Sequence, residues 1–239
     1  MKPPSDPAIP DYLLGDLLRM VTRVAANEHW YEQLWLGVPI WQLPEDLLRL
    51  QQIVFETRPK WIIETGTKFG GSAIFFASLL KLIGREDGGV VTVDLIQCEA
   101  AVETFRSHPH ANLVRNAIIG DAASAAVADE VALTLRGNEG PTLVFLDDNH
   151  NAGHVSREID RYSALVTPGS YLIVADTVFE DLAGTPVGVP TAKYPDVKNS
   201  NPRVAVNRFL AQRTDFVRDE RFVGKGVSNF SDGFLRRIY

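Results

Sequence analysis

WIIETGTKFGGSAIFFASLLKLIG (residues 61–84) joins two patterns. WIIET (61–65) is a short apolar run of the kind that forms a buried strand, and SAIFFASLLKLIG (72–84) is an apolar stretch of helical length. The glycine-bearing turn between them marks a strand-to-helix junction. The same unit repeats downstream. VVTVDL (90–95), NLVRN (112–116), TLVFLD (142–147) and SYLIVAD (170–176) read as strands, with DFVRDERF (215–222) and FLRRIY (234–239) closing a set of seven. AAVETFRSH, AASAAVADEVALTLRG and HVSREIDRYSALV lie between them, each long enough for a crossover helix. In the last of these Val155, Ile159, Tyr162 and Val166 recur at helical spacing, which aims that face at the sheet. Strands alternating with helices predict a parallel sheet covered on both faces. Two further helices are expected before the first strand, from about Tyr12 to Leu34 and from Glu45 to Thr57. Residues 177–201 carry three prolines and two glycines without a period and read as a long loop, of a length that is usually a functional lid or disordered.

Composition bounds the function classes. The chain has 239 residues, 45% of them hydrophobic, enough for one α/β domain with small appendages. Lys and Arg total 24 against 30 Asp and Glu, for a formal charge of −6, and the basic residues form no stripe that would follow a phosphate backbone. Nucleic acid is therefore not expected as a partner. Cys98 is the single cysteine and reads as a small half-buried apolar side chain, so no internal disulfide forms. MKPPSDPAIPDY has no signal-peptide core and no window approaches the roughly 20 apolar residues of a membrane span. A soluble, cytoplasmic protein is expected.

In such sheets ligands bind beyond the carboxyl ends of the strands, where the strand order reverses. The turn ETGTKFGGS (64–72) is thus the expected cofactor cradle: Gly66 and Gly70 allow a tight turn, Thr67 and Ser72 offer hydroxyls, and the next helix points its positive end at the same place. The spacing is E-x-G-x-x-x-G, which matches neither the dinucleotide fingerprint nor the phosphate loop. Glu64 would repel a pyrophosphate and suits an ammonium. Asp94 ends the second strand, where an acid can accept both ribose hydroxyls, and Gly120-Asp121 after the third strand can border an adenine. An acid, a glycine turn, a second acid and a Gly-Asp at three successive strand ends fit S-adenosylmethionine (SAM) better than NAD. Taken singly, Asp94 or Asp121 would pass for a helix cap.

FLDDNHNAGH (145–154) holds adjacent carboxylates and two histidines directly after an apolar run. His150 and His154 have the spacing of a helical zinc pair, but Gly153 between them places the helix start there. His154 is expected to cap the helix or support the site from behind. Asp148 reads either as a solvated neighbour of Asp147 or as a metal ligand. Trp30, Tyr31, Trp35 and Trp41 read as helical packing, with a substrate lid or subunit contact as the alternative.

ETGTKFGGSAIFFASLL, FLDDNH, GSYLIVADT and the earlier LWLGVPIWQLPEDL resemble the rhamnosyl O-methyltransferase and cephalosporin-hydroxylase family of SAM-dependent enzymes, from about Trp30 to the C-terminus. The resemblance implies a class I SAM-dependent methyltransferase (Rossmann-like) fold, α/β, with a seven-stranded mostly parallel sheet, helices on both faces and extra N-terminal helices. It divides the chain into a helical extension, residues 1–58, serving as substrate lid or oligomer contact, and a SAM-binding domain, residues 59–239. SAM would lie over the first two strands beside a divalent metal. In the family's D-x-x-H, Asp147 would take the metal and lie near SAM, and His150 would act as base. Parallel pairing of the fourth and fifth strands would put Asp147 and Asp176 at one edge, on strands roughly 4.8 Å apart, as two hard ligands for Mg²⁺ or Mn²⁺. Members commonly carry Glu-Asp where this chain has Ala175-Asp176, which removes one expected ligand. Ala175→Glu would restore it only if the backbone turns that side chain inward. The expected acceptor is a small molecule, a sugar or glycosylated natural product, and the chain is expected to form a homo-oligomer. Metal-free methylation, a non-methylating reaction on a natural product and a non-catalytic SAM-binding partner of an oxidase are the rival readings.

Overall fold

A computed structural model describes residues 32–184, 191–224, 227–230 and 232–239. Trp30, Tyr31 and all but the end of the first expected helix lie outside the described residues. That end leaves a 3₁₀ turn at Glu32 and enters a strand at Leu34. Leu34–Trp35 (β1) and Val38–Pro39 (β2) form a small antiparallel hairpin, because Leu36 and Gly37 take φ +48° and +89°, which no right-handed helix contains. The second expected helix is present as α1, Pro44–Thr57, with Pro44 in its first turn, where the missing N–H costs nothing.

Seven strands follow: β3 Trp61–Thr65, β4 Gly89–Asp94, β5 Val114–Ile119, β6 Thr142–Leu146, β7 Tyr171–Val174, β8 Phe216–Arg218 and β9 Phe234–Arg237. Their order is β5-β4-β3-β6-β7-β9-β8, parallel through β7, with β9 antiparallel to both its neighbours. The helices between them are α2 Gly71–Leu82, α3 Glu99–Ser107, α4 Ala125–Leu135, α5 Ala152–Tyr162, α6 Phe179–Leu182 and α7 Pro202–Gln212. The third strand starts later than expected because Ala111–Leu113 form a 3₁₀ turn that buries Leu113. DFVRDERF shrinks to three strand residues because Asp219 accepts the Arg221 N–H through Oδ1 (3.0 Å) and turns the chain. The loop expected at 177–201 contains the single helical turn α6.

Side-chain alternation sends each strand into two cores. Trp61, Ile63, Val144, Leu146, Leu172 and Val174 face one layer, where Val155, Ile159, Tyr162 and Val166 pack as their spacing predicts. Ile62, Leu143, Phe145, Tyr171 and Ile173 face the other, under α2 and α1. Because both faces are covered, the strands read as unbroken apolar runs. Burying each such side chain stabilises the fold by about 1.5–3 kcal/mol. The Tyr162 hydroxyl is satisfied inside its core by donating to the Ala122 carbonyl (3.0 Å). Among the described residues no helix is long and apolar enough to cross a membrane.

Candidate functional site

β3 lies between β4 and β6, so the crossovers leave it in opposite directions and open a crevice past its carboxyl end. A cavity of about 450 Å³ sits there, within the roughly 300–1,000 Å³ usual for small-molecule sites. The turn from Gly66 to Gly71 forms one wall. Gly66 has φ +94°, and a Cβ on it would meet the Asp147 carbonyl oxygen at 2.2 Å. Its glycine is thus required by the neighbouring strand end as much as by any ligand. Gly70 (φ +84°) caps α2, whose first turn carries no acid.

The expected cofactor residues divide by position. Thr67, Ser72, Gly66, Asp94 and Asp147 line the cavity. Asp94 Oδ2 accepts the Lys68 N–H (2.9 Å), which fixes the carboxylate against the turn. Glu64 lies beneath the wall, fully buried. Thr92 donates to its Oε2 (2.7 Å) and shares a short hydrogen bond with Thr67 (2.6 Å), while Oε1 has no donor among the described residues. Burial pushes the Glu64 carboxyl up to about 7, against the pull of the Ser72 and Thr92 hydroxyls. The cavity does not reach Gly120 or Asp121. Gly120 N donates to the Asp94 carbonyl (2.9 Å), and Asp121 Oδ1 accepts the Ala123 N–H (2.9 Å) in a turn before the helix, whose cap is Ser124.

The rest of the lining includes the charged groups. Leu146 pairs with Val174, so Asp147 leaves β6 beside the end of β7, and Asp176 follows two residues past it. Asp147 Oδ2 accepts from Gln42 Nε2 (2.6 Å). Burial, reinforced by the charge of Asp176, holds Asp147 well above the usual carboxylate range, and burial also raises Asp176. Asp176 takes φ +56°, a left-handed conformation that aspartate tolerates better than most residues. Its Oδ2 stands 3.2 Å from His150 Nε2. The His150 ring stacks on Phe179 (centroids 4.6 Å, planes 25° apart) and leans on Tyr194 at 5.1 Å.

Asp148 points elsewhere: its Oδ2 is hydrogen-bonded to His154 Nε2 (3.2 Å). His154 is no cap, since Asn151 occupies that position and His154 sits inside the first turn of α5, with Glu158 one turn on. His150 precedes the cap, so the two histidines share no helix face. Ala175 is buried in the apolar layer with Phe145, Ile173 and Phe230. Ala175→Glu is therefore expected to destabilise the fold by about 1–3 kcal/mol, the cost of burying a polar group without partners. Thermal unfolding measures this, and an unchanged midpoint together with tighter Mg²⁺ binding would show that the side chain does turn inward.

Several lining residues carry no sequence signal. Gln42 sits in an irregular segment after the hairpin, and Lys193 arrives from the long loop beside Tyr194, which contacts the His150 ring. Trp41 lines the cavity, edge-on to Phe69 (5.5 Å), with Lys68 Nζ 4.7 Å from its ring centre. Trp35 packs on Phe75 (4.9 Å) and donates to Ser78 Oγ (3.1 Å). Neither lies on a helix, which corrects the expected helical placement; Trp35 packs against the core as expected, whereas Trp41 lines the cavity. Asp46 joins α1 to the cavity wall by accepting from Ser228 Oγ (2.5 Å) and Asn229 N (2.8 Å).

Known proteins resemble this chain in sequence and in fold. A sequence profile of the Rhamnosyl O-methyltransferase/CmcI family matches residues 27–238. The rhamnosyl O-methyltransferase of Mycobacterium tuberculosis is 29% identical over 161 residues, 67% of this chain and 62% of its own length. That of Mycobacterium leprae is 28% identical over 67% of this chain and 66% of its own length, so the match spans just under two thirds of these relatives. A solved CmcI structure with Mg-SAM superposes with a TM-score of 0.61 at 18% identity, covering 87% of this chain and 78% of that one. The O-methyltransferase TomG from Streptomyces achromogenes, in complex with SAM, gives 0.55 at 20% identity over 84% and 82%. These likenesses, with the seven-stranded order, show the class I SAM-dependent methyltransferase fold. With the profile running over residues 27–238, the protein belongs to the rhamnosyl O-methyltransferase/CmcI family.

Proposed function

We propose that the protein is a SAM-dependent O-methyltransferase acting on a hydroxyl of a sugar or glycosylated natural product, with His150 as general base. The observation that carries this reading is the pairing of His150 with Asp176 at the cavity wall. With Nε2 turned to the carboxylate at 3.2 Å, Nδ1 is the nitrogen left to accept a proton. His150 would take the acceptor's hydroxyl proton there, and Asp176 would stabilise the imidazolium. Phe179 and Tyr194 pack on the ring and hold it in place. The acceptor class rests on the names of the relatives. In this reading residues 59–239 carry the cofactor, and the 1–58 extension brings Trp41 and Gln42 over the acceptor.

The residues present fit SAM. Glu64 is a buried carboxyl with one oxygen lacking a donor, which suits a cationic amine, and Asp94 is fixed at the end of β4 for a ribose. When bound, SAM supplies an electrophilic sulfonium methyl group. Calorimetry should show binding of S-adenosylhomocysteine and none of NAD. Glu64 adds a pH signature. Its folded value lies above its ordinary value of 4.5, so in the free protein this group contributes stability that is present below 4.5 and lost as pH rises through about 7. An ammonium partner needs the ionised form, so ligand affinity should rise with pH toward 7 and binding should release a proton. At pH 6 affinity should be about tenfold below its plateau. NAD binding without a response to S-adenosylhomocysteine would overturn the assignment.

We also place a divalent cation on Asp147 and Asp176. Burial raises the proton affinity of both carboxylates, and the charge of Asp176 raises that of Asp147 further, so the pair is short of positive charge; their hard oxygens suit Mg²⁺ or Mn²⁺. Such an ion would lower the pKa of the acceptor hydroxyl. With Ala175 in the apolar core and Asp148 turned to His154, few anionic ligands remain, so the site should be weak. Activity is expected to fall with EDTA and return at millimolar Mg²⁺. Full activity after exhaustive chelation would favour the second reading, metal-free transfer with His150 alone as base, to which the burial of Ala175 lends weight.

A further inference from the structure

Between the cavity lining, which includes Asp148, and the first two turns of α5 lies a group of side chains that the methyl-transfer reading does not use. Asp148, His154 and Glu158 each present a ligand atom, and these atoms all lie within 4.8 Å of one another. His154 Nε2 is 3.2 Å from Asp148 Oδ2 and 3.7 Å from Glu158 Oε2. Glu158 is 1% exposed, and neither of its carboxylate oxygens has a hydrogen-bond donor among the described residues; nor has Asp148 Oδ1. A buried carboxylate left without donors is costly, and the helix spacing aims this one at the imidazole one turn earlier. Asp121, half exposed, adds a further carboxylate 3.9 Å from His154 Nε2 on the solvent side.

We propose that Asp148, His154 and Glu158 form a second divalent-metal site, distinct from the Asp147 and Asp176 pair, that takes a transition ion such as Zn²⁺, Co²⁺ or Mn²⁺. One imidazole nitrogen and two carboxylate oxygens make a mixed ligand set that favours these ions over Mg²⁺ or Ca²⁺, which prefer oxygen alone. Ligands about 2.1 Å from a metal are roughly 3.0–3.5 Å apart, so the three atoms need to close by only small rotamer shifts. Two carboxylates neutralise the ion, and Asp121 or water can complete its shell. Bound there, the metal would tie the residue after Asp147 to the start of α5 and so fix the 147–150 segment that carries His150. The site stands independently of the methyl-transfer reading.

Co²⁺ alone is the probe, titrated into the full chain and read by visible absorption and by metal stoichiometry. In the Asp147→Asn, Asp176→Asn background, one Co²⁺ equivalent is expected to remain, with an absorption band that reports nitrogen and oxygen ligation. Adding Glu158→Gln or His154→Gln should lower Co²⁺ affinity by at least about tenfold, with circular dichroism unchanged. The two variants remove different ligands, so either one that folds decides the matter. Absence of bound Co²⁺ in the double-variant background, or an affinity indifferent to both added substitutions, would overturn the proposal and leave the group as a proton-sharing carboxyl cluster.

Discussion

His150→Ala is expected to lower turnover by about 10²-fold or more, with S-adenosylhomocysteine affinity nearly unchanged. The residue lines the cavity but makes none of the contacts that fix Glu64, Thr67 or Asp94, so its removal takes away the proton acceptor while those contacts stay. Loss of the ring also leaves Phe179 and Tyr194 without their common partner, so circular dichroism and thermal unfolding must accompany the kinetics. A companion variant separates orientation from proton transfer. Asp176→Asn keeps a residue type that tolerates φ +56° and keeps an oxygen near Nε2, but removes the charge that stabilises the imidazolium. Its turnover should fall less than that of His150→Ala, and its metal response should weaken at the same time. Wild-type turnover in His150→Ala would confine the histidine to packing and sink the general-base assignment.

The strands and crossover helices were legible because both faces of the sheet are buried, which turns Trp61–Thr65, Thr142–Leu146 and Tyr171–Val174 into continuous apolar runs. Asp147 and Asp176 were legible for the same reason, since each is the first acid after such a run. What the sequence hides depends on approach in space. Gln42 reaches Asp147 across 105 residues, and Tyr194 comes to His150 from a loop without a period. His154 shows how a correct spacing can point to the wrong partner. Four residues back lies His150, outside the helix, whereas four residues on lies Glu158, on the buried face beside Val155 and Ile159. The hairpin at Leu34–Pro39 overlaps the expected helix only at Leu34, and its turn at Leu36 and Gly37 rests on positive φ values that side-chain periodicity does not show. Gly120-Asp121 matched a ligand pattern that local turn geometry accounts for, through the Asx contact to Ala123.

Gly66→Ala is expected to destabilise the fold by roughly 3 kcal/mol or more and to abolish cofactor binding at ordinary concentrations. Two independent costs add at this position. The backbone sits at φ +94°, a conformation that a side chain disfavours by about 1–2 kcal/mol. The new Cβ would also lie 2.2 Å from the Asp147 carbonyl oxygen and 2.7 Å from its carbon, both backbone atoms that no rotamer change can move aside. Relief requires β3 and β6 to part at their carboxyl ends. That would strain the Asp147 N–H contact with the Thr65 carbonyl (3.0 Å), displace the Gln42 contact to Asp147 and open the turn that Gly66 closes onto Val93 O (2.8 Å). The damage therefore falls on both walls of the cavity. For a chain of this size the unfolding midpoint should drop by roughly 6–12 °C. Gly153→Ala is the matched control, because Gly153 lies within α5, has no positive φ and would place its Cβ in open space. There the same change should be neutral or stabilise by up to about 1 kcal/mol. A Gly66→Ala protein that melts with the wild type and still binds S-adenosylhomocysteine would mean that the two strand ends do not meet through this glycine, and the close approach of the turn to Asp147 would have to be abandoned.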